Sequence, residues 1–266
     1  MQHLSIIEQP TNEAIHAFTK KNNLAIHLIY HLGEDYQHPQ EEYLVALDNP
    51  PVFVVSDGVT LDFKKLIESE KKYPNPSPAG EVAKIFSEAV VESARSKYDN
   101  FSAEKTKDVF KDANGAVGKY NHKIGKSDIS GNITGFYAAT GSFVVIKDSK
   151  AYWASICDSF VAHFDKEMNT KFISSGLCTP YAVINGEGKM AEYLENGVID
   201  IEKGDRIFVF TDGFEHYVNN PDFLNLFKDW TDNLKEHIAK FSKEMNLKDP
   251  EKYGRERSLI AISICK

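Results

Sequence analysis

Cysteine is scarce in this chain: Cys157, Cys178 and Cys265 are the only three, widely spaced and without a C-x-x-C pair. That excludes a thiol-dense secreted scaffold and the paired knuckles of structural zinc sites. Two of the three sit in apolar, strand-like runs, so the expectation is buried, reduced thiols of a cytosolic protein. Long apolar runs are missing too; none approaches the roughly 18 residues that a membrane helix needs. The start Met1-Gln2-His3-Leu4-Ser5 has no basic segment leading into an apolar one, and a soluble, cytoplasmic protein is expected. Positive charge is in deficit, with 31 Lys and Arg against 39 Asp and Glu and a net charge of -8. This argues against a broad footprint for nucleic acid or for an anionic membrane surface and says little about a peptide partner. No linker, low-complexity tract or repeated module divides the 266 residues, of which 42% are apolar. One core, and hence a single domain spanning 1–266, is the expectation.

What the chain does contain is one short statement made twice. Val52-Phe53-Val54-Val55-Ser56 leads into Asp57-Gly58, and Ile207-Phe208-Val209-Phe210-Thr211 leads into Asp212-Gly213. An uncharged run of β-branched and aromatic residues reads as a strand covered on both faces, and a following glycine permits a sharp turn. Each run therefore delivers a carboxylate at a strand end. Two such carboxylates, distant in sequence, meet only if their strands share a core, and converging carboxylates suit a hard divalent cation.

The surrounding pattern gives these strands a frame. Leu24 to Leu32, Glu42 to Leu47 and Val52 to Ser56 read as strands, the last two joined as a hairpin across Asp48-Asn49-Pro50-Pro51. Phe63 to Lys72 is a short charged segment, and Tyr73 to Pro78 forces extended or turn geometry. Helical spacing follows over Glu81 to Tyr98 and again from Ser102 to Tyr120. Strands return at Tyr137 to Lys147, Ala151 to Cys157, Phe160 to Phe164 and Lys171 to Ser174, with a weaker signal over Met190 to Ile201. After the second Asp-Gly strand, helix is expected from Pro221 to about Asn246, then a closing strand from Ser258 to Cys265. Strands, a helical pair, many strands, helix and a last strand favour an antiparallel α+β fold over alternating βαβ units.

Two further acidic positions fall at strand ends: Asp158, in Cys157-Asp158-Ser159, and Glu34-Asp35 after the first predicted strand. With these, the order Glu-Asp, strand-Asp-Gly, helical pair, strand-x-Asp-Ser, Gly-Asp-strand-x-Asp-Gly and final strand resembles the metal-dependent type 2C (PPM) serine/threonine protein phosphatases, over roughly residues 24 to 265. The order and spacing carry the likeness, since no single motif is specific. The resemblance implies a four-layer αββα sandwich of two antiparallel sheets flanked by helix pairs. It also implies two Mn²⁺ or Mg²⁺ ions and a third, more weakly held one, together with hydrolysis of phosphoserine or phosphothreonine in phosphoproteins by a metal-bridging hydroxide. Carried over by residue, Asp57 bridges both ions, the Gly58 carbonyl joins one, Asp212 ligates one, Asp35 holds metal-bound water, Asp158 belongs to the third ion and Glu34 lies behind Asp35. Asp57 and Asp212 are the residues on which catalysis is expected to depend.

The chain departs from the family at several positions. Tyr30 stands where the family has a phosphate-binding arginine, and Val59 follows the first Asp-Gly where a histidine is common. Alignment of the last strand places Arg255 at a metal-ligand aspartate and Glu256 at the asparagine beside it. Glu256 reaches the metal if its longer side chain or a shift of one residue allows, and Arg255 either removes one ion site or replaces the missing phosphate-binding arginine. Lys64, Lys65 and Arg257 are the candidate basic residues for substrate. Each motif has a plainer reading: Asp-Gly and Asp-Ser are turn chemistry, an acid beside two arginines pairs with them, and His31 and His216 are ordinary surface or packing residues. A haloacid-dehalogenase-like reading of Val54 to Leu61 fails because Val55 stands where the nucleophilic aspartate belongs. Two alternatives remain: a non-catalytic pseudophosphatase binding a phosphorylated or acidic segment, and a hydrolase of small phosphorylated metabolites.

Overall fold

The structure, a computed structural model, describes residues 1–8, 40–59, 76–125, 137–179 and 181–265. Its strands are β1 (Gln2–Glu8), β2 (Glu42–Asp48), β3 (Pro51–Gly58), β4 (Ala139–Lys147), β5 (Lys150–Ile156), β6 (Phe160–Phe164), β7 (Thr170–Ile173), β8 (Glu195–Asp200), β9 (Arg206–Phe210) and β10 (Arg257–Ser263). They form two five-stranded sheets, β2-β3-β4-β5-β8 and β1-β10-β9-β6-β7. Every pairing between these strands is antiparallel. The long helices are α1 (Pro78–Lys97), α2 (Ala103–Lys123) and α3 (Leu234–Lys248).

Strand alternation builds the layers. On β3, Val52 and Val54 face a core shared with Val82, Phe86 and Val90 of α1 and Val109 and Phe110 of α2. Their neighbours Phe53 and Val55 face the other way, against Ile207, Val209, Ile260 and Ile262 of the opposite sheet. The same switch occurs on β9, where Phe208 and Phe210 pack outward with Phe214, Tyr217, Phe223, Phe227 and Ile238. Side chains with a period of two thus make three stacked cores between four layers, helix, sheet, sheet and helix. Burial on both faces is why β3 and β9 read as uninterrupted apolar runs. The expected αββα architecture is the one observed.

The hairpin β2–β3 turns across Asp48 and Pro51, as expected. Helix α1 begins earlier than the spacing predicts: Ser77 accepts a hydrogen bond from the Ala79 N–H at 3.2 Å and Pro78 occupies the first turn. Proline suits that place because its missing N–H would go unpaired there in any case. The helices expected from Pro221 to about Asn246 are Pro221–Asn225 and Leu234–Lys248. The polar-looking start is a strand: β1 pairs along its whole length with β10 at the edge of the second sheet. The expected strand over Leu24 to Leu32, the Phe63 to Lys72 segment, and Tyr30, His31, Glu34, Asp35, Lys64 and Lys65 lie outside the described residues.

The cysteine expectation is corrected. Cys157 and Cys178 form a disulfide, and Cys265 is an exposed free thiol. None of the described helices is long and apolar enough to cross a membrane.

Candidate metal centre

The strands deliver their acidic residues to one end of the sandwich. Asp57 ends β3, and β2 places Glu42 directly opposite it in the hairpin register. From the other sheet, β9 runs through Thr211 into a short helical turn over Asp212–Phe214. One carboxylate oxygen from each of Glu42, Asp57 and Asp212 lies within 4.8 Å of the others. The two Asp-Gly strands, one in each sheet, therefore bring their carboxylates together. A third acid that the sequence did not single out completes the group.

Neither glycine of the pair is there for a left-handed backbone, since neither adopts a positive φ. Their value is close approach. A Cβ on Gly58 would lie 2.6 Å from the Ala79 carbonyl oxygen at the start of α1, and one on Gly213 would lie 2.6 Å from Cβ of Arg257. Each Asp-Gly unit is thus pressed against the backbone of a neighbouring element, which fixes where its carboxylate sits.

Glu42 is buried and held from across the sandwich: the Thr211 hydroxyl donates to its two oxygens at 2.8 and 2.7 Å. The same Thr211 oxygen accepts from the Ser258 N–H at 2.9 Å. One hydroxyl therefore joins β2 of the first sheet to β9 and β10 of the second. Burial pushes the Glu42 carboxyl well above the ordinary carboxylate range; hydrogen bonding to Ser258 and Thr211 pulls back, while the charges of Glu256 and Asp212 add to the rise. Asp57 is also pushed well up, first by loss of water and then by the charges of Glu42, Asp212, Asp158 and Glu256. Asp158 is raised by burial and by Asp212, with Thr140 and Arg255 opposing. Crowded, desolvated carboxylates of this kind are relieved by a divalent cation, and their hard oxygens match Mg²⁺ or Mn²⁺. The donor set of this trio fits an ion of that kind.

The remaining expected residues divide. Asp158 contributes its charge but stands outside the tight trio, an oxygen of its carboxylate within 4.8 Å of the disulfide-bonded sulfurs of Cys157 and Cys178. Gly58 sits at the site, its N–H donating to the Glu41 carbonyl at 3.0 Å. Glu256, expected as a ligand, instead accepts from the Glu41 N–H at 3.1 and 3.2 Å and from the Glu42 N–H at 3.2 Å. Its carboxylate fixes the head of β2 and lies outside the trio. Arg255 donates through Nη1 to Oδ2 of Asp212 at 2.7 Å. Arg257 is buried, bound to Glu8 at 2.8 Å and to the Arg255 carbonyl at 2.7 Å, so it is a structural guanidinium and no candidate for substrate. His216 is exposed and packs edge-on against Tyr253.

The acids missed in the sequence are Glu41 and Glu42. Both are buried, and the Glu41 carboxylate accepts from the Ser77 hydroxyl that caps α1. Their signal was available in the hairpin register, because counting back from the Asp48–Pro51 turn sets Glu42 across from Asp57.

A sequence profile described as protein phosphatase 2C matches residues 31–248. Among solved structures, the chain is similar to the serine/threonine phosphatase PstP/Ppp of Mycobacterium tuberculosis, with 10% identity, a TM-score of 0.60 and coverage of 100% of this chain and 99% of that one. It is also similar to the catalytic domain of PstP in complex with two manganese ions, with 11% identity, a TM-score of 0.58 and coverage of 100% and 98%. RsbX in complex with magnesium is similar at 12% identity and a TM-score of 0.53, with coverage of 98% and 94%. No curated protein sequence matches the chain. At these identities the structural likeness speaks to fold alone.

Proposed function

Because the chain belongs to the protein phosphatase 2C family, we propose that it is a Mn²⁺- or Mg²⁺-dependent phosphatase of phosphoserine and phosphothreonine in protein substrates, acting as one domain over 1–266 in the cytoplasm. The observation that carries this reading is the convergence of Glu42, Asp57 and Asp212 from two sheets onto one point. When bound there, Mn²⁺ or Mg²⁺ supplies Lewis-acid charge to the phosphoryl oxygens and activates water for in-line attack. Glu42 and Asp57 of the first sheet, with Asp212 of the second beside them, would hold such an ion. Thr211 keeps the Glu42 carboxylate aimed by donating to both of its oxygens. Glu256 anchors the backbone that carries Glu42. Asp158 and the Gly58 carbonyl are assigned supporting places at the same centre, and Asp35 a water-mediated one.

The test is hydrolysis of p-nitrophenyl phosphate and of a phosphothreonine peptide with Mn²⁺, with Mg²⁺ and with chelator, beside Asp57→Asn. Metal-dependent turnover that disappears in the variant, whose circular dichroism is unchanged, is expected. Turnover that survives Asp57→Asn sinks the assignment of this centre. One observation favours a second reading, a non-catalytic phosphopeptide-binding member of the fold: Arg255 already neutralises Asp212. That reading predicts phosphopeptide binding without turnover in any metal.

A further inference from the structure

We propose that Arg255 replaces a second metal ion, so that the centre takes one divalent cation and meets the substrate phosphate with a guanidinium. The proposal rests on the phosphatase reading and replaces the two-ion expectation drawn from the family likeness.

The argument begins with what holds Arg255 in place. A pair of long surface side chains usually means little, because both partners are free to leave. Here the backbones on either side of the pair are clamped. Beyond Asp212, Gly213 packs against the backbone of Glu256 and Arg257 so closely that a Cβ would lie 3.1 Å from Cα of Arg257. Beside Arg255, its own carbonyl oxygen accepts from the buried Arg257 guanidinium at 2.7 Å, which also binds the Tyr253 carbonyl and Glu8. The Asp-Gly turn and the approach to β10 are therefore fixed against each other, and Arg255 reaches Asp212 from a rigid base.

Position then decides chemistry. Of the three clustered carboxylates, Asp212 already has a cation on Oδ2 at 2.7 Å. A dication approaching Asp212 on that side meets a positive charge in contact with the ligand, whereas Glu42 and Asp57 stand directly opposite each other in the β2–β3 register, each with an oxygen in the cluster. The approach to β10 brings no second carboxylate to the trio, since Glu256 engages the amides at the head of β2. One ion against Glu42 and Asp57, with the guanidinium beside Asp212, satisfies the group.

Exposure gives the guanidinium its second task. Its side chain is 65% exposed while Asp212 is 20% exposed. A guanidinium has five N–H donors in a planar fork that matches phosphate oxygens, and the contact with Asp212 is made through Nη1. The same group thus neutralises Asp212 and presents donors toward solvent, where a phosphoryl group arrives.

The experiment counts ions. Equilibrium dialysis and calorimetry with Mn²⁺ are run on the full chain, on Arg255→Asp and on Arg255→Lys, followed by titration of the Mn²⁺-loaded proteins with inorganic phosphate. Arg255 is mostly exposed, so the variants are expected to fold, and near-UV circular dichroism checks that they do. One Mn²⁺ per parent chain, two per Arg255→Asp chain, and phosphate affinity about tenfold weaker in Arg255→Lys are expected. Two ions in the parent chain overturn the proposal. One ion in both parent and Arg255→Asp also overturns it, because the guanidinium is then not what excludes the second. No ion in any chain removes the phosphatase reading itself, a result distinct from either.

Discussion

Replacing Glu256 separates two roles that the sequence left open, and the geometry assigns a size to each. Its carboxylate accepts from two main-chain amides, those of Glu41 and Glu42, at 3.1 to 3.2 Å. A hydrogen bond to a charged acceptor is worth about 1.5–3 kcal/mol, and a donor left unpaired carries its desolvation cost. Glu256→Ala removes the acceptor for both amides, so a loss of roughly 3–5 kcal/mol follows. At about 2–4 °C per kcal/mol for a chain of this class, the melting temperature falls by roughly 6–20 °C. Glu256→Gln keeps one acceptor oxygen and removes a charge that repels Glu42 and Asp57, so its loss is smaller, about 1–2 kcal/mol. Thermal unfolding followed by circular dichroism, in chelator and again in Mn²⁺, measures both. Titration with Mn²⁺ gives the second axis: Glu256→Gln should hold the ion within about tenfold of the parent, a change of 1.4 kcal/mol or less, whereas Asp57→Asn should not. If Glu256→Ala melts within a degree or two of the parent yet loses Mn²⁺ as completely as Asp57→Asn, the residue is a metal ligand and the amide-anchoring argument is wrong.

In chelator, the raised carboxyls make the folded chain hold protons that the unfolded chain releases. Their contribution is present below the unfolded carboxylate pKa of about 4 and is lost as pH rises through the elevated folded values. The melting temperature of the parent should therefore decline more steeply between pH 5 and 8 than that of Asp57→Asn, and equal slopes in scanning fluorimetry would contradict this. Cys178→Ser opens a loop with a sequence separation of 21, which costs about 3 kcal/mol in the chain-entropy account. Dithiothreitol should lower the parent's melting temperature and leave the variant's unmoved, while maleimide on the folded parent should label Cys265 alone. Gly213→Ala places a methyl 2.6 Å from Cβ of Arg257 and should destabilise by about 1–3 kcal/mol through overpacking, read in urea unfolding; an unchanged midpoint removes the close-approach reading of the second Asp-Gly.

The layered fold was legible because its central strands are buried on both faces. Val52 to Val55 and Ile207 to Phe210 had no polar face to show, and each packs into two cores, one on either face of its sheet. The helix pair was readable from its apolar spacing, with the first helix starting earlier, at Pro78, and the second running on to Lys123. Edge and non-local features were harder. In β1, Leu4 and Ile6 alternate with polar residues over a few positions only, and its partner is the last strand of the chain, which no local pattern announces. The Cys157–Cys178 pairing is likewise absent from spacing alone. At the site, Asp57 and Asp212 were visible because an apolar strand ending in an acid is conspicuous. Glu41 and Glu42 sit in the polar run Gln40-Glu41-Glu42, which imitates a solvated loop, and only register reveals them as buried. The glycines were noticed for the wrong reason: freedom of φ was expected, and absence of a side chain is what the packing uses.

The pairing of β1 with β10 also sets a schedule for biosynthesis. Glu8 and Arg257, which join these strands, are separated by 249 positions. At a synthesis rate of about 5–20 residues per second, β1 waits roughly 12–50 s for its partner to be made. Arg255 and Glu256 emerge in that same late stretch, immediately ahead of β10. A nascent chain can therefore assemble its first sheet and the helices above it before the anchor for Glu42 and the guanidinium for Asp212 are made, after β9. The Glu42–Glu256 anchor and the Asp212–Arg255 pair therefore close only after the approach to β10 has been made.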